Sequence, residues 1–255
     1  MLSKETIKSL LKPNAEVFVF DEINSTNTFA KELVKKGYDK NALIVASMQT
    51  NGRGRQGKEF YSPDGSGLYM TCLLNQKLPL DGFAFITTCA CVAVCMVLEE
   101  YNISPLIKWV NDIYVDDKKV CGILVEASND FENKTINSLI IGIGINLTTK
   151  AFPKELENIA SSLNLKESRD ILSAKITNKL FEIILSDDKS KYFDYYISHS
   201  FVIGKDIIFI QNNTETPAKA VGIDQNGGLI AELEDGTQKT LTSGEISVKR
   251  RFDNV

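Results

Sequence analysis

Residues 48–57 read MQTNGRGRQG, and whether a helix opens behind these glycines decides the fold. Gly52, Gly54 and Gly57 match GxGxxG, which in a dinucleotide-binding fold must run straight into a helix whose free N–H groups face a pyrophosphate. The next residues are KEFYSPDGSGLY, an extended stretch that contains a turn. Gly52 to Lys58 also fit the first seven positions of a P-loop, but Glu59 stands where a hydroxyl must meet magnesium. Neither phosphate motif holds. The residues leave a flexible loop with alternating Arg53 and Arg55, which either folds around an anion or forms a solvated surface turn.

Working outward, ALIVASMQ before the loop and GLYMTCLL after it read as strands. Upstream, EVFVFDEI reads as a strand between a short helix in SKETIKSLLK and a helix in STNTFAKELVKKG. That second helix has Ser25 or Thr26 as its N-cap, apolar Phe29, Ala30, Leu33 and Val34 at helical spacing, and Gly37 as its stop. Downstream, GFAFITTCACVAVCMVLEEY is apolar all round and reads as a core helix. LIKWVNDIYV and VCGILVEA suggest a hairpin turning at Asp116 to Lys119, TINSLIIGIGINL supplies another strand, and two further helices come after it. Gly142 and Gly144 in GIGIN read either as pocket lining or as β-bulge glycines, and a strand edge near them could pair two subunits. From Gly204 the pattern becomes short alternating runs broken by NN, QNGG and EDG, a small all-β module that closing into a barrel would protect. The reading is an α+β chain with a domain over 1–202 and a β-barrel over 203–255.

Composition narrows the function. A net charge of −4 over 255 residues offers no global field for nucleic acid or anionic membrane, so anion binding must be local. No signal peptide or spanning run is visible, and the chain reads as cytoplasmic. Five cysteines lie in apolar segments without a CxxC pair and read as reduced, buried thiols. His199, the single histidine, nearly excludes a His-based triad.

Four stretches occur in order: STN at 25–27, QTNGRGRQG at 49–57, KWVND at 108–112 with KKVCGILVE at 118–126, and GIGINL at 142–147. Together they resemble biotin protein ligase, and the likeness runs from about residue 18 to residue 250. The resemblance implies a mixed-sheet catalytic domain of the biotin/lipoate ligase type followed by an SH3-like barrel. It implies a reaction in which ATP activates biotin as biotinyl-5′-AMP, and the biotinyl group then passes to a lysine of a biotin carboxyl carrier domain. Two positions depart from the pattern: Val110 replaces a proline, and Phe60 stands where a tryptophan is common. About seventeen residues precede the catalytic segment, too few for the DNA-binding module of longer members, so no specific DNA partner is expected.

By resemblance, Ser25, Thr26, Asn27, Gln49 and Gly52 form a neutral wall for the biotin ureido group, while Gly54, Gly122, Leu124 and Gly142 line the pocket. Lys119 is assigned to the carboxylate and α-phosphate, Arg53 to closing the loop over biotin and its adenylate, and Arg55 to the triphosphate. ATP would lie beside Phe60, Lys108, Asn111, Asp112 and Asn146, with Asp112 as the carboxylate for Mg2+. The plainer alternatives are N-capping for Ser25, a solvated turn charge for Lys119 and a core role for Trp109. Lys249 is a further candidate for nucleotide or carrier contact. Two competing functions stand beside this one: a lipoate-type ligase, and a biotin- or nucleotide-binding module without turnover.

Overall fold

The computed structural model describes residues 1–79, 83–130, 135–211, 214–242 and 244–248. Its large sheet has eight strands: β1 (Glu16–Ile23), β2 (Ala42–Gln49), β3 (Gly67–Leu74), β4 (Leu78–Pro79), β5 (Leu106–Lys108), β6 (Asp112–Val115), β7 (Lys118–Asp130) and β8 (Thr135–Asn146). Their order is β1-β2-β3-β8-β7-β6-β5, with β4 paired to β8. The first pair is parallel and the others antiparallel, so the sheet is mixed.

Period-two alternation sorts the strand residues onto two faces. Leu43, Val45, Cys72, Leu74, Leu139 and Ile141 enter the main core, against α1 (Lys4–Leu10), α3 (Phe83–Glu99), α4 (Arg169–Ile184) and α5 (Ser190–Ser198). Ile44, Leu73 and Ile140 enter a smaller core beneath Phe29, Leu33 and Val34 of α2 (Thr26–Lys35). Since α2 is short, it leaves the far end of that face uncovered, and a cavity opens there.

The remaining strands are β9 (Asp206–Gln211), β10 (Thr214–Ile223), β11 (Leu229–Glu232), β12 (Gln238–Leu241) and β13 (Glu245–Val248). They pair antiparallel in the order β12-β11-β10-β9-β13, a small sheet of SH3-like type. Its buried side chains, among them Ile207, Phe209, Ala220 and Leu229, are continuous with the main core. Trp109 ties the two sheets together, its Nε1 donating to the Gly227 carbonyl at 2.8 Å. No helix among the described residues is long and apolar enough to cross a membrane.

Several expectations need correction. LIKWVNDIYV is not one strand: Lys108 pairs with Asp112, so Trp109, Val110 and Asn111 make a turn of their own. The next turn contains only Asp116 and Asp117, both at positive φ (49° and 58°), as a two-residue hairpin requires. Lys118 and Lys119 therefore belong to strand β7. Gly142 and Gly144 pair in regular register with β3 on one side and β7 on the other, so they are neither bulge glycines nor part of a free edge.

Candidate functional site

A cavity of about 450 Å³ opens on the α2 face of the large sheet. Its floor comes from strand register: Gly122 lies opposite Gly144 and Leu124 opposite Gly142, and Gly142 and Gly144 are opposite Thr71 and Tyr69 of β3. Bare glycine is needed here for approach. A Cβ on Gly142 would collide with the Asn27 amide, and one on Gly144 would reach 2.5 Å from the Phe60 ring. Tyr69 supports that ring edge-on at 6.5 Å, and burial pushes its phenol up to about 12, keeping it neutral as it donates to the Pro63 carbonyl.

One end of the cavity is buried and uncharged. Ser25 caps α2, its hydroxyl accepting from Thr28 N–H, and Thr26 and Asn27 occupy the first turn. Thr26 N–H and hydroxyl reach Gln49 Oε1 at 2.9 and 3.1 Å, and Thr71 Oγ1 lies 2.8 Å from Thr26 Oγ1 and 2.6 Å from Asn27 Oδ1. Capping and cavity lining coexist at Ser25, because the cap uses its oxygen and leaves its face to the cavity.

The other end is cationic. Lys119 Nζ lies 2.7 Å from Asp112 Oδ1, and Arg55 Nη1 donates to Asn111 Oδ1 at 3.0 Å. Asn111 is held in turn by the Ile123 backbone through Nδ2 at 2.7 Å. Lys119 is no solvated turn charge: its backbone bonds Ile159 and Ser161, and its side chain is 27% exposed. Arg53 lies against Glu126 of β7 at 3.3 Å. The loop between the two ends is a small antiparallel excursion in which Gly54 N–H bonds the Lys58 carbonyl and Phe60 N–H bonds the Gly52 carbonyl.

Sixteen of the residues singled out from sequence line this one cavity: Ser25, Thr26, Asn27, Gln49, Arg53, Gly54, Arg55, Phe60, Lys108, Asn111, Asp112, Lys119, Gly122, Leu124, Gly142 and Asn146. Gly52 is the exception. It does not line the cavity, and a Cβ there would strike the Phe60 carbonyl and the Ser62 hydroxyl, so its bareness serves the return of the loop. Trp109 lines the cavity and is buried as well. Lys249 lies outside the described residues. Sequence reasoning missed Phe152, Leu156 and Ile159, an apolar flank from an irregular segment whose partner, Lys119, is distant in sequence. It also missed Ile246 and Ser247 of β13, by which the small sheet reaches the cavity.

Among the described residues no three His, Cys, Asp or Glu side chains converge as a metal centre. The oxygen donors present suit magnesium, which binds through one or two carboxylates and keeps its waters and substrate phosphates. Asp112 would supply the carboxylate, and Asn146 Oδ1 is buried without a hydrogen-bond partner. The five cysteines are free and buried, and burial pushes the Cys72 and Cys89 thiols up to about 12.

A mixed sheet with a glycine floor, a neutral hydrogen-bonding pocket at one end and a set of cations at the other defines a protein able to hold a neutral polar group and anionic groups in one cavity. The model of the biotin/lipoate A/B protein ligase family matches residues 19–146, and that of the biotin protein ligase C-terminal domain matches residues 202–249. The chain belongs to the biotin/lipoate A/B protein ligase family. It is 35% identical to a bifunctional ligase/repressor of Bacillus spizizenii over 238 residues, covering 88% of this chain and 71% of that protein. It is 27% identical to human biotin–protein ligase over 90% of this chain and 34% of that one. Among solved structures, the biotin protein ligase of Aquifex aeolicus in complex with biotin and ATP superposes with a TM-score of 0.74 at 28% identity, covering 92% of this chain and 98% of that one.

Proposed function

We propose that this chain is an ATP-dependent biotin protein ligase that forms biotinyl-5′-AMP and then biotinylates a lysine of a carrier domain. The observation that carries the reading is the meeting, in one cavity, of the neutral Ser25, Thr26, Asn27 and Gln49 cluster with Arg53, Arg55, Lys108 and Lys119. Biotin has a ureido group at one end and a carboxylate at the other, and a site for it must be polar and neutral, then apolar, then cationic. A lipoyl substrate has no ureido group to occupy the neutral end. The match of residues 202–249 to the biotin protein ligase C-terminal domain also favours biotin.

The first step joins two anions. A biotin carboxylate oxygen attacks the α-phosphorus of ATP, and the bond to pyrophosphate breaks. Fixed cations offset the repulsion and the charge that builds at phosphorus. Two observations support this role for Lys119: its backbone is held on both sides, and its Nζ is paired with Asp112, which substrate would displace. Arg55 faces the phosphates, and the flank at Phe152, Leu156 and Ile159 offers an apolar surface to a purine ring. Mg2+, held through Asp112 with Asn146 beside the phosphates, would neutralise phosphate oxygens. Arg53 and the glycine loop cover the mixed anhydride and keep water from it.

In the second step the ε-amine of the carrier lysine attacks the acyl carbon, AMP leaves, and the amine loses a proton. A carboxylase carrier is the proposed acceptor: a relative in Paracoccus denitrificans, 31% identical over 49% of this chain and 51% of that protein, is named biotin–[acetyl-CoA-carboxylase] ligase. A second copy of this chain, if it pairs through the large sheet, must use a strand other than β8. The test is mass spectrometry of a carrier domain incubated with the protein, biotin and Mg-ATP. Addition of the biotinyl mass is expected; no addition, or addition only in a parallel incubation with lipoate in place of biotin, would reject the reading.

A further inference from the structure

One carboxylate joins the neutral end of the site to the glycine loop. Glu126 lies two residues beyond Leu124 on β7, on the same face as Gly122, and its side chain is 19% exposed. Three donors from separate places meet it. Lys31 Nζ of α2 lies at 2.6 Å from Oε1 and Asn27 Nδ2 at 3.2 Å from Oε2, while Arg53 places Nη2 3.3 Å from Oε1 and Nη1 3.4 Å from Oε2.

The Asn27 amide has no freedom to turn here. Its Oδ1 accepts from the Thr71 hydroxyl, and its Nδ2 faces only acceptors, Glu126 and, at 3.4 Å, the Leu124 carbonyl. From Thr71 the contacts continue through Thr26 to Gln49, whose Nε2 donates to Ser62 Oγ at 3.0 Å. Ser62 donates to the Phe60 carbonyl at 2.9 Å, and Phe60 N–H bonds Gly52. The hydrogen-bonded circuit thus leaves the glycine loop at Arg53 and returns to it at Phe60. On the way it passes through Asn27, Thr26 and Gln49, all of which line the neutral end of the cavity.

We propose that Glu126 is a positioning residue of the ligase reaction: by orienting the Asn27 amide and holding Arg53 with the same carboxylate, it makes occupancy of the neutral end felt at the loop. The inference rests on the reading of that end as the biotin site. A carboxylate is needed for both tasks. It is acceptor-only, so it sets the direction of the amide, and its charge strengthens the contact to the guanidinium. A glutamine in its place presents a donor as well as an acceptor, which leaves the amide direction undecided and Arg53 without its counter-ion.

The test compares Glu126→Gln and Glu126→Asp with the wild-type chain in three measurements: biotin affinity by calorimetry, KM for biotin and for ATP, and tryptic cleavage after Arg53 and Arg55 with and without biotin. Glu126→Gln is expected to raise the biotin Kd and KM about tenfold while the KM for ATP stays within about twofold. It is also expected to abolish the protection that biotin gives the loop, and Glu126→Asp to restore part of both effects. Wild-type biotin KM and protection in Glu126→Gln would overturn the proposal, as would equal rises in both KM values, which mark a general packing fault. Should both variants fail to fold, amide exchange of the wild-type chain decides. Biotin must slow exchange at 25–27 and 52–58 together, and slowing confined to 25–27 overturns the proposal. A wild-type protein that binds no biotin at all removes the site reading instead.

Discussion

The neutral wall and the cationic loop face one cavity and are built in opposite ways. Ser25, Thr26 and Asn27 are 2–4% exposed, and Thr26 and Asn27 are tied to Gln49 and Thr71 at 2.6–3.1 Å, whereas the Arg53 side chain is 37% exposed and held at 3.3 Å. The wall can discriminate because a buried polar group left unpaired is costly, and it need not move. The Arg53 contact is exchangeable, since exposed ion pairs contribute little and give way readily to a ligand's charge. The proposed recognition groups are thus buried and fixed, while Arg53, proposed to cover the ligand, is exposed and exchangeable.

Lys119→Ala removes a preorganised cation and is expected to raise the adenylation barrier by roughly 3 kcal/mol. Biotin-dependent pyrophosphate release measures it, and a wild-type rate would reassign the residue. Gly142→Ala places a methyl group into the Asn27 amide, an overpacking that costs about 2 kcal/mol and should appear in the biotin KM more than in the ATP KM. An equal effect on both would mean that the wall is not specific to one substrate.

Behind the wall, Cys72 projects from β3 to the face opposite Thr71, and its thiol is held protonated by burial. Its folded pKa, raised to about 12, exceeds the unfolded value, so it contributes stability below the unfolded pKa that is lost as pH rises toward 12. The slope is at most about 1.4 kcal/mol per pH unit for such a thiol. Urea midpoints measured from pH 8 to 11 should fall, and Cys72→Ala should flatten the fall. The smallest energetic change is expected for Arg53→Ala, under about 1 kcal/mol in stability, with the adenylate instead escaping to label bystander lysines. Unchanged selectivity in a mixed-protein labelling assay would separate Arg53 from containment.

Much of this was legible in sequence. Short apolar runs placed β1, β2 and β3, and the absence of a helix after the glycine loop excluded the phosphate-binding folds. The Lys119 side chain was harder, because DDKK reads as a charged tip until the two-residue turn is seen to require positive φ at Asp116 and Asp117. Glu126 closes the KKVCGILVE stretch and was in reach of the same period-two rule that links Gly122 and Leu124, yet its partners Asn27, Lys31 and Arg53 lie on segments far away in sequence. Phe152, Leu156 and Ile159 had no signal, since irregular backbone has no period and its partner, Lys119, lies more than thirty residues away.

Trp109 is the only indole in the chain. It is buried where the large and small sheets meet, one residue from Lys108 and two from Asn111. Its emission therefore comes from a single known place and can report, without any attached dye, any loosening of the small sheet from the large one. A spectroscopist receives from this protein a reporter already installed at the joint between its two sheets.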